Sequence, residues 1–280
     1  MPDNSAQLHS PSYLLPVEDT EFLLRDELRG VRFGLEYEKA ELYLRDWGVR
    51  STIIVFGSAR APSPERAQII RSEEKLTAQD DARLQRQLGY YEAARAFGRI
   101  ASERGGALAP HRHWRDNVIA TGGGPGVMEA ANRGAHEAGA PSVGFNITLP
   151  SEQQPNPFTT PELTFRFHFF GMRKMHLAMR ANALVVFPGG FGTFDELFEI
   201  LTLEQTKKAP PTPVVLFDEA WWRGVINFDM LIEEKVIGAG DMKLISFAES
   251  AEEAWSVLVA RGLKAHVPPL EREPKDGGLV

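Results

Sequence analysis

The residues best suited to chemistry in this chain are Pro188-Gly189-Gly190-Phe191-Gly192-Thr193-Phe194-Asp195-Glu196. Glycines let main-chain N–H groups approach an anion, and a helix beginning there adds the positive end of its dipole. An apolar helical pattern of Phe194, Leu197, Phe198 and Leu201 follows the glycines. Glu196 then stands one turn from whatever the amides hold. Upstream, a helix over 169–181 puts Arg173, His176 and Arg180 on one face. An arginine there meets a phosphate or carboxylate with a planar fork of donors. Together these residues suit a phosphorylated small molecule with a carboxylate beside it.

Each of these features also has a plainer reading. Thr193-x-x-Glu196 at a helix start is the pattern of a capping box, in which both side chains satisfy orphan backbone groups. Thr193 can serve both purposes, whereas Glu196 cannot serve a cap and a ligand at full strength. The arginine face is equally consistent with solvated charge. His176 alone is weak evidence for catalysis, and the Met172, Met175, Met179 stripe reads as core packing.

A second glycine loop, Thr121-Gly122-Gly123-Gly124-Pro125-Gly126, follows the apolar run Asn117–Ala120. It is not a dinucleotide fingerprint, because Val127 stands where the third glycine belongs. The next strand ends in Gly144-Phe145-Asn146, with no acid to hold a ribose diol. No Gly-Lys-Ser/Thr follows either loop, which excludes a P-loop. One such loop is equally well a tight strand-to-helix turn; two in one sheet favour ligand binding.

The elements that must position these loops alternate along the chain. Strands are predicted at 51–56, 117–120, 142–148, 163–167, 183–187, 213–217 and 243–247. Helices are predicted at 20–47, 92–103, 127–137, 169–181, from the motif to about 207, at 220–236 and at 250–261. Residues 61–90 read as an inserted loop or helix. The alternation predicts an α/β fold, a doubly wound, Rossmann-like parallel sheet flanked by helices, with an N-terminal helical extension. Its loops after strands belong at the carboxyl edge, where such sheets bind ligands. The expected organisation is an arm and helix over 1–49, a nucleotide-binding catalytic domain over 50–265 and a loose tail over 266–280.

Composition narrows the partners. The chain has 280 residues, a net charge of −7 and 43% hydrophobic residues. Those values suit one α/β domain with extensions and argue against nucleic acid or an anionic membrane as partner. With no cysteine, thiolate catalysis, disulfides and Cys-based zinc sites are excluded. The polar N-terminus lacks an apolar signal core, and no apolar run is long enough to span a bilayer, so a cytoplasmic protein is expected.

The motif Pro188–Glu196 resembles the PGGxGTxxE signature of the LOG ("Lonely guy") family of cytokinin riboside 5′-monophosphate phosphoribohydrolases. Arg173-Lys174 is similar to that family's Arg-Lys pair, and Gly122–Glu129 resembles its GGGxxGLM segment. Phe56-Gly57-Ser58-Ala59-Arg60 resembles the turn after its first strand. The resemblance spans roughly residues 50–237. It implies hydrolysis of the N-glycosidic bond of a nucleoside 5′-monophosphate, AMP or an N6-modified AMP, without metal or cofactor. It further implies Arg173 and Glu196 as the catalytic pair. The nucleotide-binding set it implies is Gly189, Gly190, Phe191, Gly192, Thr193, Gly123, Gly124, Ser58, Lys174 and Met172. A homodimer or larger homo-oligomer is implied too. The alternative is a non-catalytic nucleotide sensor on the same scaffold; an NAD-dependent oxidoreductase has only the fold in its favour. Members were once labelled lysine decarboxylases, but nothing here resembles a pyridoxal-phosphate lysine site. Phe170-Gly171-Met172 departs from the family's Met-His before Arg-Lys, which leaves the preferred base open.

Overall fold

A computed structural model describes residues 3–149 and 154–263. Short helices α1 (Ser5–Leu8) and α2 (Thr20–Leu23) precede α3 (Arg29–Asp46). The chain continues through β1 (Thr52–Phe56), α4 (Pro64–Glu73), α5 (Ala78–Arg104), β2 (Val118–Thr121), α6 (Val127–Glu137), β3 (Ser142–Ile147) and β4 (Thr164–Phe167). Then come α7 (Phe170–Met179), β5 (Ala181–Val186), α8 (Phe191–Gln205), β6 (Val214–Phe217), α9 (Glu219–Val225), α10 (Phe228–Glu233), β7 (Ile245–Ala248) and α11 (Ala251–Ala260). The seven strands form one sheet in the order β4-β3-β2-β1-β5-β6-β7. Every pairing in it is parallel.

β1 shows why its run is continuously apolar. Successive side chains of a strand point to opposite faces, and here both faces are covered. Ile53 and Val55 pack with α5, α6 and α11 residues such as Tyr91, Phe97, Val127 and Leu258. Ile54 and Phe56 pack on the other side with Leu44, Leu177, Leu197 and Trp222. No helix among the described residues is long and apolar enough to cross a membrane.

Three expectations about helices need correcting. The helix expected over 20–47 is broken after α2 by a 3-10 turn at Asp26–Leu28. Arg32 covers the carbonyls this break frees, donating to Leu23 O at 2.9 Å and Arg25 O at 2.6 Å. The helix expected at 92–103 is the second half of α5, whose first half, with α4, occupies the region 61–90 read as an inserted loop or helix. Thr77 starts α5 by accepting from the Asp80 amide at 3.1 Å, a side-chain cap. The helix expected over 220–236 is split, because Asn227 caps a new start at Met230 N, 3.0 Å away. The tail expected at 266–280 lies outside the described residues.

Candidate active site

Strand order reverses between β1 and β5, and in such sheets the crevice forms outside the carboxyl ends of the strands at this point. The loops leaving the two strands are tied together there. Phe187 N donates to Phe56 O at 2.8 Å, and Ser58 N donates to Pro188 O at 2.9 Å. Above them opens a cleft of about 1010 Å³. One wall is Pro188–Glu196 with Arg173 and Trp221; the other is Ser58, Ala59 and Arg60 with Arg83, Arg86, Gln87 and Tyr90 of α5.

α8 begins at Phe191 with Gly190 as N-cap, without a side-chain cap and without an acid in its first turn. Its first amides therefore keep their donors and the helix dipole its positive end. Thr193 is 4% exposed, and its hydroxyl has no hydrogen-bond partner among the described residues. The capping-box reading fails here, because the glycine start places Thr193 third in the helix rather than before it. A Cβ on Gly189 would stand 2.2 Å from Thr193 Oγ1 and 2.9 Å from the Gly57 carbonyl carbon. Only glycine leaves room for that hydroxyl beside the joined loops.

Glu196 does not fold back on its own backbone. Arg173 Nη1 donates to its Oε1 at 3.2 Å. Arg173 Nε donates to Phe145 O at 2.8 Å, and its guanidinium lies 5.8 Å from the Phe56 ring centroid. Both side chains are buried yet line the cleft. Burial pushes the Glu196 carboxyl up to about 7, against the attraction of Arg173 and Lys174. Burial likewise draws Arg173 down, although a guanidinium stays protonated. The second glycine loop supplies the space: a Cβ on Gly122 would come within 2.7 Å of Arg173 Nη2.

The N-terminal extension holds α7 in place. Glu36 of α3 accepts from the amides of His168 and Phe169 at 2.9 and 3.2 Å, capping the α7 start from outside. At the far end of α7, Arg180 pairs with Glu41 at 2.7 Å. Between them His176 is buried, with Nε2 3.1 Å from Tyr37 O and its ring stacked on Tyr37 and Phe145. Burial lowers the His176 pKa, which favours a neutral packing group facing away from the cleft.

Of the residues expected in the site, Arg173, Glu196, Ser58, Gly189, Gly190, Phe191, Gly192 and Thr193 line this one cleft. Four others are placed elsewhere. Lys174 pairs with Asp195 at 2.8 Å and Glu199 at 2.7 Å. Met172 packs on the core. Gly123 sits at positive φ against the Asn146 side chain, and the Gly124 carbonyl accepts from Asn156 Nδ2 at 3.1 Å. Arg83, Arg86, Gln87, Tyr90 and Trp221 line the cleft without having been singled out, as does Arg60, quoted before only as the end of the first turn. The four α5 positions among them, Arg83, Arg86, Gln87 and Tyr90, recur at i, i+3, i+4 and i+7, a signal readable once one helix is drawn through 78–104. No group of three His, Asp or Glu among the described residues is arranged to hold a metal ion.

Residues 128–258 match the family described as "Possible lysine decarboxylase". The cytokinin riboside 5′-monophosphate phosphoribohydrolase LOG of Oryza sativa subsp. japonica is 27% identical over 189 residues, 66% of this chain and 71% of the relative. An Arabidopsis thaliana protein of the same enzyme name is 26% identical over 167 residues, 59% of this chain and 71% of that one. A structural-genomics X-ray structure covers 75% of this chain and 99% of its own, at 22% identity and a TM-score of 0.47.

Proposed function

We propose that this chain, which belongs to the LOG family, hydrolyses the N-glycosidic bond of a nucleoside 5′-monophosphate. The products are a free base and ribose 5-phosphate. AMP or an N6-modified AMP is the substrate, in line with the cytokinin riboside 5′-monophosphates in the relatives' names. One observation carries the reading: a buried Arg173–Glu196 pair lines the same cleft as an uncapped helix N-terminus.

In this mechanism the 5′-phosphate takes the amides opening α8 and the unpaired Thr193 hydroxyl. Holding the phosphate fixes the ribose, so binding energy remote from the reacting bond is used for orientation. Breakage of the C1′–N bond develops positive charge on the sugar. The Glu196 carboxylate stabilises that charge and accepts a proton from the water whose oxygen attacks C1′; the departing base gains that proton in turn, so one water supplies both the sugar hydroxyl and the base proton and the carboxylate is restored. A carboxyl poised near 7 suits such proton exchange at neutral pH. Arg173, anchored on Phe145 O, favours the ionised form of Glu196 and aims it.

Incubation with AMP and chromatography of the products tests the reading: adenine and ribose 5-phosphate must appear in equal amounts. Tight AMP binding without release would transfer the assignment to the nucleotide-sensor alternative. We also expect a homodimer or larger homo-oligomer, since Phe191 is 96% and Phe198 41% exposed on α8 beside the cleft. Sedimentation equilibrium distinguishes that assembly from a monomer.

A further inference from the structure

We propose that Arg60 and Arg86 form a second anion subsite in this cleft, facing the glycine loop, and that the two subsites together fit a nucleoside 5′-diphosphate. The proposal rests on the nucleotide reading above and goes beyond it in naming a second phosphoryl group.

The chain as a whole is acidic, at −7, yet one wall of its cleft carries Arg60, Arg83 and Arg86. Arg83 has a partner three residues away, Asp80 at 2.6 Å, in an exposed pair of the weak surface kind. The side chains of Arg60 and Arg86 have no carboxylate partner among the described residues. Acids near the cleft are already engaged: Asp195 with Lys174, Glu196 with Arg173, and Asp218 with the Tyr90 hydroxyl at 2.6 Å. The uncompensated positive charge of the cleft therefore resides on these two guanidiniums. A concave wall of one sign concentrates its field on a ligand as an open surface does not.

The geometry separates this wall from the first phosphate's donors. One phosphate is served by the amides opening α8 and by the Thr193 hydroxyl, all on the opposite wall. On α5, Arg83, Arg86, Gln87 and Tyr90 share one helical face that lines the cleft. A guanidinium fork grips a phosphoryl group bidentately, which suits it to the next phosphate of a chain. At about 1010 Å³ the cleft stands at the upper end of the range for small-molecule sites, so it has room for that group.

The test is calorimetric and uses ligands that turnover cannot confuse. Inorganic phosphate and pyrophosphate are titrated into the full-length wild-type protein, and AMP and ADP into Glu196→Gln. Pyrophosphate and ADP should bind about tenfold or more tighter than phosphate and AMP, the scale of one charge-assisted contact. In an Arg60→Ala/Arg86→Ala double variant both ratios should fall to near one. Both residues are surface-exposed, and circular dichroism checks that the double variant is folded. Ratios near one in the starting proteins, or ratios unmoved by the double substitution, overturn the proposal. Failure of the glycosidase reading is seen separately, as AMP that yields no adenine.

Discussion

Arg173 Nη1 stands 3.2 Å from Glu196 Oε1, and a second bond from Arg173 Nε to Phe145 O fixes the direction of approach. A single hydrogen bond within the pair leaves the second carboxylate oxygen to water or sugar. Glu196→Gln keeps the size but cannot accept a proton, so AMP hydrolysis should fall by about 10² to 10⁴. Arg173→Ala should fall as far, because it strands a buried carboxylate. Arg173→Lys should not restore activity, since an ammonium cannot meet Phe145 O and Glu196 in one plane. Adenine release measured by chromatography decides; undiminished turnover in Glu196→Gln would reduce that residue to packing.

The raised carboxyl gives activity and stability opposite pH dependences. If ionised Glu196 is the working form, kcat/KM rises with pH to a plateau, with a midpoint at about 7. For stability, the folded state holds the proton more tightly than the unfolded chain, whose glutamate titrates near 4.5. The contribution is therefore complete below about 4.5 and is lost as pH rises through about 7. At one unit per 1.36 kcal/mol it amounts to at most about 3 kcal/mol. Glu196→Gln should flatten this component in denaturant titrations run from pH 4 to 8. A wild-type stability that rises across that window, and rises equally in the variant, would contradict the assignment.

The two glycines beside the site should fail differently. In Gly122→Ala the new methyl meets Arg173 Nη2 at 2.7 Å and Met128 Sδ at 2.9 Å. The guanidinium must move, so kcat should drop by at least about tenfold while phosphate affinity persists. In Gly189→Ala the methyl meets Thr193 Oγ1 and the Gly57 backbone, which does not yield. The phosphate cradle is displaced, and KM for AMP should rise. Steady-state kinetics on both variants separate the effects; a KM defect in Gly122→Ala alone would reverse the assignment of the loops.

Much of this site was legible because its signals are local. Buried parallel strands such as Ile53–Phe56 are apolar without interruption, and the glycine turns follow them directly. The all-parallel sheet follows from that alternation. What escaped depends on distant contacts. The first half of α5 is rich in charge and has little buried surface apart from Leu84, so its helix was obscured. Its arginines become cleft residues only because the first half of α5 borders the same cleft as the start of α8. Thr193-x-x-Glu196 matched a capping box, but Gly190 starts the helix earlier and removes both side chains from capping positions. Lys174 followed Arg173 in sequence, yet on a helix adjacent residues point apart, and Asp195 and Glu199 hold it.

His176 separates packing from catalysis on the same helix. Its ring is 1% exposed and lies among Tyr37, Phe145 and Phe167. His176→Ala should cost about 2 to 4 kcal/mol of stability through the cavity it leaves. His176→Phe should recover part of that loss. In neither variant should the pH midpoint of kcat/KM move, and a shift in it would bring His176 into the reaction.

Helix α3 lines no part of the cleft but grips the helix that carries Arg173. The Glu36 carboxylate accepts from two orphan amides at the α7 start, a position where negative charge also meets the helix dipole. Removing it in Glu36→Ala leaves those amides to water and frees the first turn of α7, whose N-cap Phe169 stands four residues before Arg173 and accepts from the Arg173 amide at 3.3 Å. Arg173 keeps its chemistry but loses part of its orientation, so kcat should fall severalfold with KM for AMP little changed. Glu36→Gln retains one acceptor oxygen without the charge and should lie between the two. A purely structural role would instead lower the melting temperature of Glu36→Ala while leaving kcat intact in the folded fraction. Parallel kinetics and thermal melts on the three proteins therefore decide whether the N-terminal extension acts on catalysis through the position of α7.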